Sequence, residues 1–310
     1  MKLPLLPTPC LKEFFLRALV GSISLFWGLK VQGQKPCEAL SIQIIDSIAL
    51  PVTYDHIDLD TQGNLYLLSQ TRQSLVKLLK RSSYDSTFQI GGPSALPGES
   101  FLEPKSFQVN TYQKVFILDE ASRSLLTWGK DLERLGQINF SQETSQQQVQ
   151  EVPAPLLPSN FLVNSLGEIY LINQWDNKIY HFTSKGNYLQ SFGGTDYGTG
   201  TLFSPTYLTI NNKNDIFVFD SSNSHIYCYD AFGTFKHKFS TGLPKTVWGM
   251  ASYRDHLFLW EGPRLHLVEY DPLFHFSCTH IFPTAIKDIT FRHQYLYVLD
   301  KDWIRIYKVE

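Results

Sequence analysis

Hydrophobic and polar residues alternate in a pattern that returns six times along the chain. Each unit has a short strand, a polar turn that often contains Gly or Asn, and an apolar strand that ends in an acid or an amide, or in the first unit in Ser69. One aromatic residue of that apolar strand recurs at intervals of 50, 54, 47, 41 and 39 residues, as Tyr66, Phe116, Tyr170, Phe217, Phe258 and Tyr297. Repeats of this length predict one four-stranded propeller blade per unit.

The last unit ends at Glu310 after its third strand, whereas a closed ring needs a fourth. Residues 40–50 precede the first unit and have the pattern of a strand without a partner. Pairing of this strand with the last blade would remove the open sheet edges. The sequence therefore predicts an all-β, six-bladed β-propeller in one domain, residues 34–310, whose last blade is closed by the N-terminal strand.

The first 33 residues have the composition of a secretory signal peptide. Positive charges at Lys2, Lys12 and Arg17 precede twelve uncharged residues, 18–29, and Val31 and Gly33 suit cleavage after Gly33. The alternative is a retained membrane anchor, but twelve residues rise only about 18 Å as a helix, against a hydrocarbon core of ~30 Å. We predict export and cleavage, with no membrane-embedded segment afterwards.

The net charge and the number of cysteines limit the classes of function that the chain can have. The whole chain has a net charge of −2, and loss of residues 1–33 removes four positive charges and one negative charge, which leaves −5. This balance argues against a nucleic-acid partner, because it removes the long-range attraction that such a binder needs. Export leaves Cys37, Cys228 and Cys278, enough for one disulfide and one thiol. Cys228 lies in an alternating strand, which predicts a buried thiol, while pairing of Cys37 with either of the other two stays open.

Two connecting stretches resemble those of the NHL-repeat family. One runs from Ile90-Gly91-Gly92 to Pro104, and the other from Phe192-Gly193-Gly194 to Pro205. Each has a Gly-Gly pair, a Gly-containing loop, an aromatic residue and then a proline that opens the next inner strand. The resemblance covers roughly residues 54–310 and implies a propeller, although units five and six lack the Gly-rich connector. The leader, ending in Gln-Gly-Gln, is similar to those of exported Bacteroidota proteins.

Residues 141–158 interrupt the repeat. The segment is rich in Gln and then in Pro, which predicts a long loop between blades two and three. It is either a surface insertion without a function or a loop that contacts a partner, because long loops often carry binding sites.

Some propellers related to this architecture are enzymes, which makes the channel a place to search for catalytic groups. The resemblance implies metal-bound His residues in amidating lyases, and a central Ca²⁺ held by Glu, Asn and Asp in lactonase relatives. Ten residues before each repeated aromatic lies the start of an inner strand, at His56, Ser106, Asn160, Tyr207, Trp248 and Lys287. These six residues provide neither a His triad nor an acidic cage. A shift by one residue adds Asp55 and Asp288, so that a site of Asp55, Asn160 and Asp288 remains an alternative.

From these observations we predict a protein that is not an enzyme and has no cofactor or metal. It would serve as a protein-binding platform in the periplasm or at the outer membrane, with a subunit of an outer-membrane, type IX-like secretion complex as a narrower version. The chain ends on a blade strand, without an appended sorting domain, which fits retention in the periplasm. The alternatives are a secreted lactonase- or lyase-like enzyme with a central metal, and a glycan-binding propeller. The candidate binding residues are His56, Asn160, Tyr207, Trp248 and Lys287 at the channel mouth, and Phe101, Tyr197 and Phe203 in the connectors.

Overall fold

The computed structural model describes residues 41–84, 87–93, 95, 99–140, 155–195, 198–243, 246–269 and 276–309. The chain divides into residues 1–34 and a compact unit of residues 35–310. The predicted signal peptide lies outside the described residues, and so does most of the predicted loop at 141–158. The described residues form six four-stranded antiparallel sheets arranged as a β-propeller, and the only helical segment among them is the 3-10 turn Lys80–Ser82.

The first three blades follow one another along the chain, each with its strands in sequence order from the inner to the outer edge. Blade 1 has β2 (His56–Leu59), β3 (Leu65–Ser69), β4 (Ser74–Leu78) and β5 (Thr87–Gly91). Blade 2 has β6 (Pro104–Val109), β7 (Val115–Asp119), β8 (Ser124–Trp128) and β9 (Arg134–Asn139). Blade 3 has β10 (Pro158–Val163), β11 (Ile169–Asn173), β12 (Lys178–Phe182) and β13 (Tyr188–Gly193).

The remaining blades keep this order, except that blade 6 takes its outer strand from the start of the described chain. Blade 4 has β14 (Pro205–Ile210), β15 (Ile216–Asp220), β16 (His225–Tyr229) and β17 (Phe235–Ser240). Blade 5 has β18 (Gly249–Tyr253), β19 (His256–Glu261), β20 (Arg264–Glu269) and β21 (Phe276–Ile281). Blade 6 has β22 (Asp288–Arg292), β23 (Tyr295–Leu299), β24 (Trp303–Val309) and β1 (Ile42–Ala49).

The prediction that the N-terminal strand closes the ring is confirmed. Strand β1 runs antiparallel to β24, from the pair Ile42–Val309 to the pair Ala49–Trp303. The backbone N–H of Leu50 extends this pairing by donating to the carbonyl of Asp302 at 2.9 Å. Blade 6 is thus assembled from two segments that are distant in sequence.

The core lies between the blades, because each sheet buries both of its faces against its neighbours. Six hydrophobic clusters occupy the six interfaces. The recurring aromatics explain the sequence pattern: Tyr66 of blade 1 packs in the cluster shared with blade 2, and Tyr170 of blade 3 packs in the cluster shared with blade 4. Both side chains are fully buried. Their spacing therefore reflects the packing of one blade on the next.

The acid that ends the second strand has a structural role in blades 2 and 4. The carboxylate of Asp220 accepts the backbone N–H groups of Phe203 at 2.6 Å, Ser204 at 3.2 Å and Ser222 at 2.9 Å. Asp119 accepts the N–H of Leu102 in the same way, at 2.7 Å. These buried groups tie the connector that enters a blade to the second strand of that blade.

Candidate functional site

The inner strands of all six blades begin on the same side of the ring, which we call the mouth face, and end on the opposite face. Strand pairing identifies one equivalent position near the start of each inner strand, which in blades 2, 3 and 4 follows a bulge after the first paired proline. These positions are His56, Ser106, Asn160, Tyr207, Gly249 and Asp288, paired with Leu68, Leu118, Ile172, Phe219, Trp260 and Leu299. Four of these six positions agree with the register deduced from the sequence.

The assignment of Trp248 and Lys287 to this ring is wrong by one residue. In blade 1 a five-residue turn joins the paired Leu59 and Leu65, whereas in blade 5 only two residues join Tyr253 and His256. The shorter hairpin reduces the offset between the aromatic and the inner strand from ten residues to nine. Gly249 and Asp288 therefore occupy the ring positions, and Trp248 and Lys287 align with Asp55 instead.

A cavity of about 690 Å³ opens at the mouth face beside blades 1 to 4. It brings together three of the predicted binding residues, His56, Asn160 and Tyr207. Its volume is in the range of small-molecule sites. The rest of its lining is polar, with hydroxyl, amide and backbone groups from Gln70, Lys105, Ser106, Ser159, Gln174, Asn177, Ser204, Pro205 and Thr206.

His56 forms a dyad with Asp288 at the edge of this cavity. The His56 Nδ1 atom lies 3.3 Å from Asp288 Oδ2, and the side chains are 30% and 17% exposed. The same carboxylate oxygen accepts the backbone N–H of Ile57 at 3.0 Å, and Oδ1 accepts that of Ile289 at 2.9 Å. Three contacts therefore hold the Asp288 carboxylate in one orientation against the imidazole.

The second nitrogen of His56 points to an amide. The Nε2 atom lies 3.3 Å from Gln70 Nε2, and that amide also donates to the carbonyl of Lys105 at 2.7 Å. When the neutral ring carries its proton on Nδ1, facing Asp288, Nε2 becomes the acceptor. In this tautomer the lone pair of Nε2 faces the residues that line the cavity.

The electrostatic surroundings favour protonation of His56. Burial lowers the pKa of His56, but the hydrogen bond and charge of Asp288, with the charge of Asp55, act in the opposite direction, so that the pKa is raised. Burial raises the pKa of Tyr207, and the charge of Asp288 adds to this effect. The Tyr207 phenol therefore keeps its proton and remains a hydrogen-bond donor at neutral pH.

Lysine side chains near the mouth are neutralised by acids. Lys287 Nζ donates to Asp55 Oδ1 at 2.9 Å and to the carbonyl of Tyr54 at 2.9 Å. Lys105 Nζ lies 2.6 Å from Glu120 Oε2. Neither amine is thus an uncompensated positive charge beside the cavity.

Two hydroxyl groups in the cavity wall are buried without a protein partner. The Oγ atoms of Ser106 and Ser159 have no hydrogen bond to any residue in the described parts of the chain. Burial of a hydroxyl without a hydrogen bond costs free energy, about 1–3 kcal/mol as judged from mutations in proteins. Because both serines line the same cavity as His56, a bound polar molecule is the natural partner for them.

Below the dyad, side chains from one inner strand bond to the backbone of the next. Asp58 Oδ2 accepts the N–H of Val109 at 2.7 Å, and Oδ1 accepts the N–H of Leu59 at 2.8 Å and the hydroxyl of Thr290 at 3.2 Å. Burial raises the pKa of Asp58 to about 6, despite these hydrogen bonds. The carboxylate of Asp58 therefore lies in an environment that disfavours its charge.

The donor set does not fit the central metal ion that the family resemblance implies. A Ca²⁺ or Zn²⁺ site needs several carboxylate or imidazole ligands that converge on one point. No group of three or more His, Cys, Asp or Glu residues in the described ranges is arranged to hold an ion. The ring positions supply one imidazole and one carboxylate, and those two groups bond to each other.

The aromatic residues that the sequence predicts as binding residues lie in different environments. Trp248 and Phe203 are 50% and 56% exposed. The assignment of Phe101 to an exposed connector is wrong, because its side chain is only 2% exposed and packs edge-to-face on Trp128, with 5.2 Å between the ring centroids. Phe101 fills the interface between blades 1 and 2. Tyr197 lies outside the described residues.

The ten-residue spacing from the repeated aromatic did not identify the polar residues that lie beside the starts of the inner strands. Gln70 and Gln174 each follow the last residue of a second strand, and Ser159 and Thr206 precede a ring position. Gln70 follows Ser69 and Gln174 follows Asn173, so the signal that could locate them is a Gln directly after the last residue of a second strand. It places an amide next to the mouth of the channel.

The two cysteines that the structure describes differ in state. Cys228 is a buried thiol in β16, as the sequence predicts. Cys278 in β21 is disulfide-bonded, and its partner lies outside the described residues. Within the described ranges, no helix is long and apolar enough to cross a membrane.

Comparison with known proteins identifies the fold but assigns the chain to no family. The sequence matches no protein-family model and no curated protein. Among solved structures, virginiamycin B lyase from Staphylococcus aureus is similar with a TM-score of 0.59 and 13% identity, over 87% of this chain and 99% of that one. A gluconolactonase from Xanthomonas campestris gives a TM-score of 0.59 and 13% identity, over 84% of this chain and 87% of the other. The WD40 repeats of RRP9 give 0.58 and 8%, over 87% of this chain and 100% of the other.

These neighbours correct the prediction that the chain is not an enzyme. Two of the three are enzymes, a lyase and a gluconolactonase, and both cover most of the present propeller. At identities of 8 to 13%, the likeness establishes the fold alone. The chemistry of this chain must be argued from its own residues at the mouth of the channel.

Proposed function

We propose that this propeller is an enzyme, a lyase or a hydrolase, that acts on a small uncharged polar substrate at the mouth of its channel. The observation that carries the proposal is the His56–Asp288 dyad at the edge of a cavity with two unpartnered buried hydroxyls. A positioned base, oriented by a carboxylate, is the arrangement that proton-transfer catalysis requires. The lyase and gluconolactonase neighbours support the same class of reaction.

In this mechanism His56 takes and returns the proton. Asp288 holds the Nδ1–H and stabilises the imidazolium that forms, so that Nε2 accepts a proton from the substrate or from an attacking water. The substrate would replace the Gln70 amide as the neighbour of Nε2. The raised pKa of His56 makes proton return to a leaving group easier near neutral pH.

Substrate selection would follow from the cavity lining. The hydroxyls of Ser106 and Ser159, the amide of Asn160 and the phenol of Tyr207 offer donors and acceptors without net charge. The nearby Lys105 and Lys287 are neutralised by Glu120 and Asp55. The site therefore suits hydroxyl, ester, lactone or amide groups better than carboxylates or phosphates.

The test is a screen of the purified chain against neutral lactones, esters and cyclic depsipeptides, followed by the variant His56→Gln. We expect at least a 100-fold loss of kcat for the variant, which should still unfold cooperatively, since general acid–base catalysis contributes about 10²–10⁴-fold. His293→Asn is a matched control, because His293 is exposed and has a φ of +50°, which Asn tolerates. Full activity of His56→Gln would reject the proposed role.

We further propose that the enzyme is exported from the cytoplasm, as its N-terminal sequence predicts. The disulfide at Cys278 supports this, because disulfides persist in oxidising compartments. We expect Cys37 to be the partner. Peptide mapping of the unreduced protein should find residues 37 and 278 in one linked fragment, and Cys228→Ser should leave that fragment unchanged. A reduced Cys278 in protein from native envelopes would contradict export.

A protein partner at the outer membrane, such as a type IX-like secretion complex, remains a second proposal that is compatible with catalysis. Its support is the set of exposed aromatic side chains on the mouth face, Trp175, Phe203 and Trp248, which are 62%, 56% and 50% exposed. Aromatic residues are enriched at interface cores. Cross-linking in native envelopes should capture a membrane-complex subunit with the wild type, and less with Trp175→Ala and Phe203→Ala combined.

A further inference from the structure

A second cavity lies on the opposite face, away from the proposed active site. It has a volume of about 630 Å³ and lies between blades 1 and 2. Its wall comes from the β2–β3 turn, the end of β4, the following 3-10 turn, β5 and the β8–β9 turn. The topology separates it from His56, because an inner strand starts at the mouth face and reaches this face only at its other end.

The lining of this cleft is strongly cationic. Lys77, Lys80, Arg81 and Lys130 contribute four positive side chains, against one acid in the lining, Asp131. Lys80, Arg81 and Lys130 make no ion pair with any residue that the structure describes. The whole chain has a net charge of −2, so this local excess of positive charge is not part of a generally basic surface.

Lys77 forms the floor and is the most buried of the four cations. Its side chain is 8% exposed, its Nζ donates to the carbonyl of Lys130 at 2.5 Å, and the carboxylate of Asp60 lies 4.0 Å away. Burial lowers the pKa of Lys77, against the attraction of Asp60. An additional negative charge above this amine would therefore stabilise its protonated form.

The position of Lys80 depends on a glycine. Gly63 has a φ of +86°, and a Cβ atom built on it would lie 2.9 Å from Lys80 Cδ. The stem of Lys80 therefore packs over the bare backbone of Gly63. The backbone N–H of Lys80 also donates to Asn64 Oδ1 at 3.1 Å, so the residue is fixed at two points beside the cleft.

An apolar wall faces the cations. Phe88 lies directly across the strand pair from Lys77 and is 52% exposed, and Leu79 and the buried Leu132 complete the surface. A flat apolar group could cover Phe88 while its charge lies among the amines. The volume is in the range of sites for molecules of drug size.

We infer that this cleft binds a small organic anion that has an aromatic or other flat apolar body, and that it is a site distinct from the channel mouth. The cations hold the acid group and Phe88 packs against the body of the ligand. The two sites divide by charge: the mouth offers neutral polar groups, and the cleft offers uncompensated positive charge.

The test uses two fluorescent probes with the same apolar body. Anilinonaphthalene sulfonate carries a negative charge, and N-phenyl-1-naphthylamine does not. We expect the full chain to bind the sulfonate saturably, with one site per chain, at least tenfold more tightly than the neutral probe. Affinity should fall as salt rises from 20 to 300 mM, since salt screens exposed charges.

Variants locate the binding. Lys80→Gln combined with Arg81→Gln should weaken sulfonate binding at least tenfold and leave the neutral probe unchanged, while Phe88→Ala should weaken both. Lys114→Gln is the matched control, since Lys114 is exposed on the same face but does not line the cleft. His56→Gln should not alter probe binding, which separates this test from that of the proposed function. Equal affinity for the two probes, or no effect of the double variant, would overturn the inference.

Discussion

The imidazole of His56 and the carboxylate of Asp288 are 232 residues apart in the chain and meet with 3.3 Å between Nδ1 and Oδ2. They meet because ring closure places the inner strands of blades 1 and 6 side by side. The same carboxylate fastens the two strands together through the N–H of Ile57. The proposed catalytic pair therefore exists only in the closed ring.

Replacement of Asp288 by Asn should impair His56 while preserving its position. The amide keeps an acceptor but removes the negative charge, so the pKa of His56 should fall from its raised value, because burial then dominates. We expect the imidazole titration, followed by NMR, to move to lower pH, and the acid limb of kcat/KM to move with it. Unchanged titration in Asp288→Asn would contradict the assigned pairing.

Asp58 should make the protein less stable as pH rises from about 4 to 6. Its pKa is about 6 in the folded protein and about 3.9 in an unfolded chain, so over this window the folded state holds a proton that the unfolded state has released. Stability then falls with rising pH, on the order of 1–3 kcal/mol in total. His56, with its raised pKa, acts in the same direction at higher pH: its contribution is complete below about 6.5 and is lost through its folded pKa.

The measurement is urea unfolding at pH 4.5, 6 and 8. Asp58→Asn should flatten the lower part of this profile, and His56→Gln the upper part. Asn retains one oxygen for the N–H groups of Leu59 or Val109, which limits the loss of packing and hydrogen bonding. A profile for Asp58→Asn that is parallel to wild type would show that this carboxylate is ionised in the folded protein at pH 4.5.

Deletion of residues 40–50 should remove most of the stability of the ring. Strand β1 pairs along its length with β24, and Ile42 and Ile48 pack against the clusters on either side of blade 6. We expect a melting temperature lower by more than 10 °C, or loss of cooperative unfolding. A synthetic peptide of residues 41–50 should restore part of the lost stability, whereas a peptide of the same composition in scrambled order should not. An unchanged melting temperature would contradict closure by this strand.

Asp220 should be essential for stability although no role in proton transfer is proposed for it. It is fully buried and accepts the N–H groups of Phe203, Ser204 and Ser222. Asp220→Ala leaves several buried donors unpaired and should cost about 3 kcal/mol or more in thermal or urea unfolding. Asp220→Asn should cost less, because Asn173 holds the equivalent place in blade 3 and accepts the N–H of Leu157 at 2.7 Å. Asp302→Ala, an exposed control, should change stability by about 0.5 kcal/mol or less.

The repeated pattern was sufficient to predict the blades because each blade is a local structure. The aromatics that mark the second strands, such as Tyr66 and Tyr170, recur for a packing reason that is the same at every interface. Closure by residues 42–49 was also predictable, since a unit with three strands needs a fourth. Both results depend on backbone pairing and burial, which leave strong periodic signals.

The site was only partly predictable because it depends on details that differ between blades. The ten-residue rule located His56 and Asn160 but selected Lys287 in place of Asp288, since the hairpin between Arg292 and Tyr295 is short. The pairing of His56 with Asp288 joins the two ends of the repeat array, and no local pattern reports it. Phe101 was misassigned because an aromatic in a loop can turn inward, which only the packing against Trp128 reveals.

Closure by β1 also has a consequence for copies of the chain that meet before folding is complete. A ring of five and three-quarter blades exposes the unpaired edge of β24, and β1 of any copy fits that edge as well as its own. At high concentration, strand exchange would then link two rings through native pairing, without any new interface. Reciprocal exchange would yield a closed dimer in which each ring completes the other, and dilution after unfolding would return monomers.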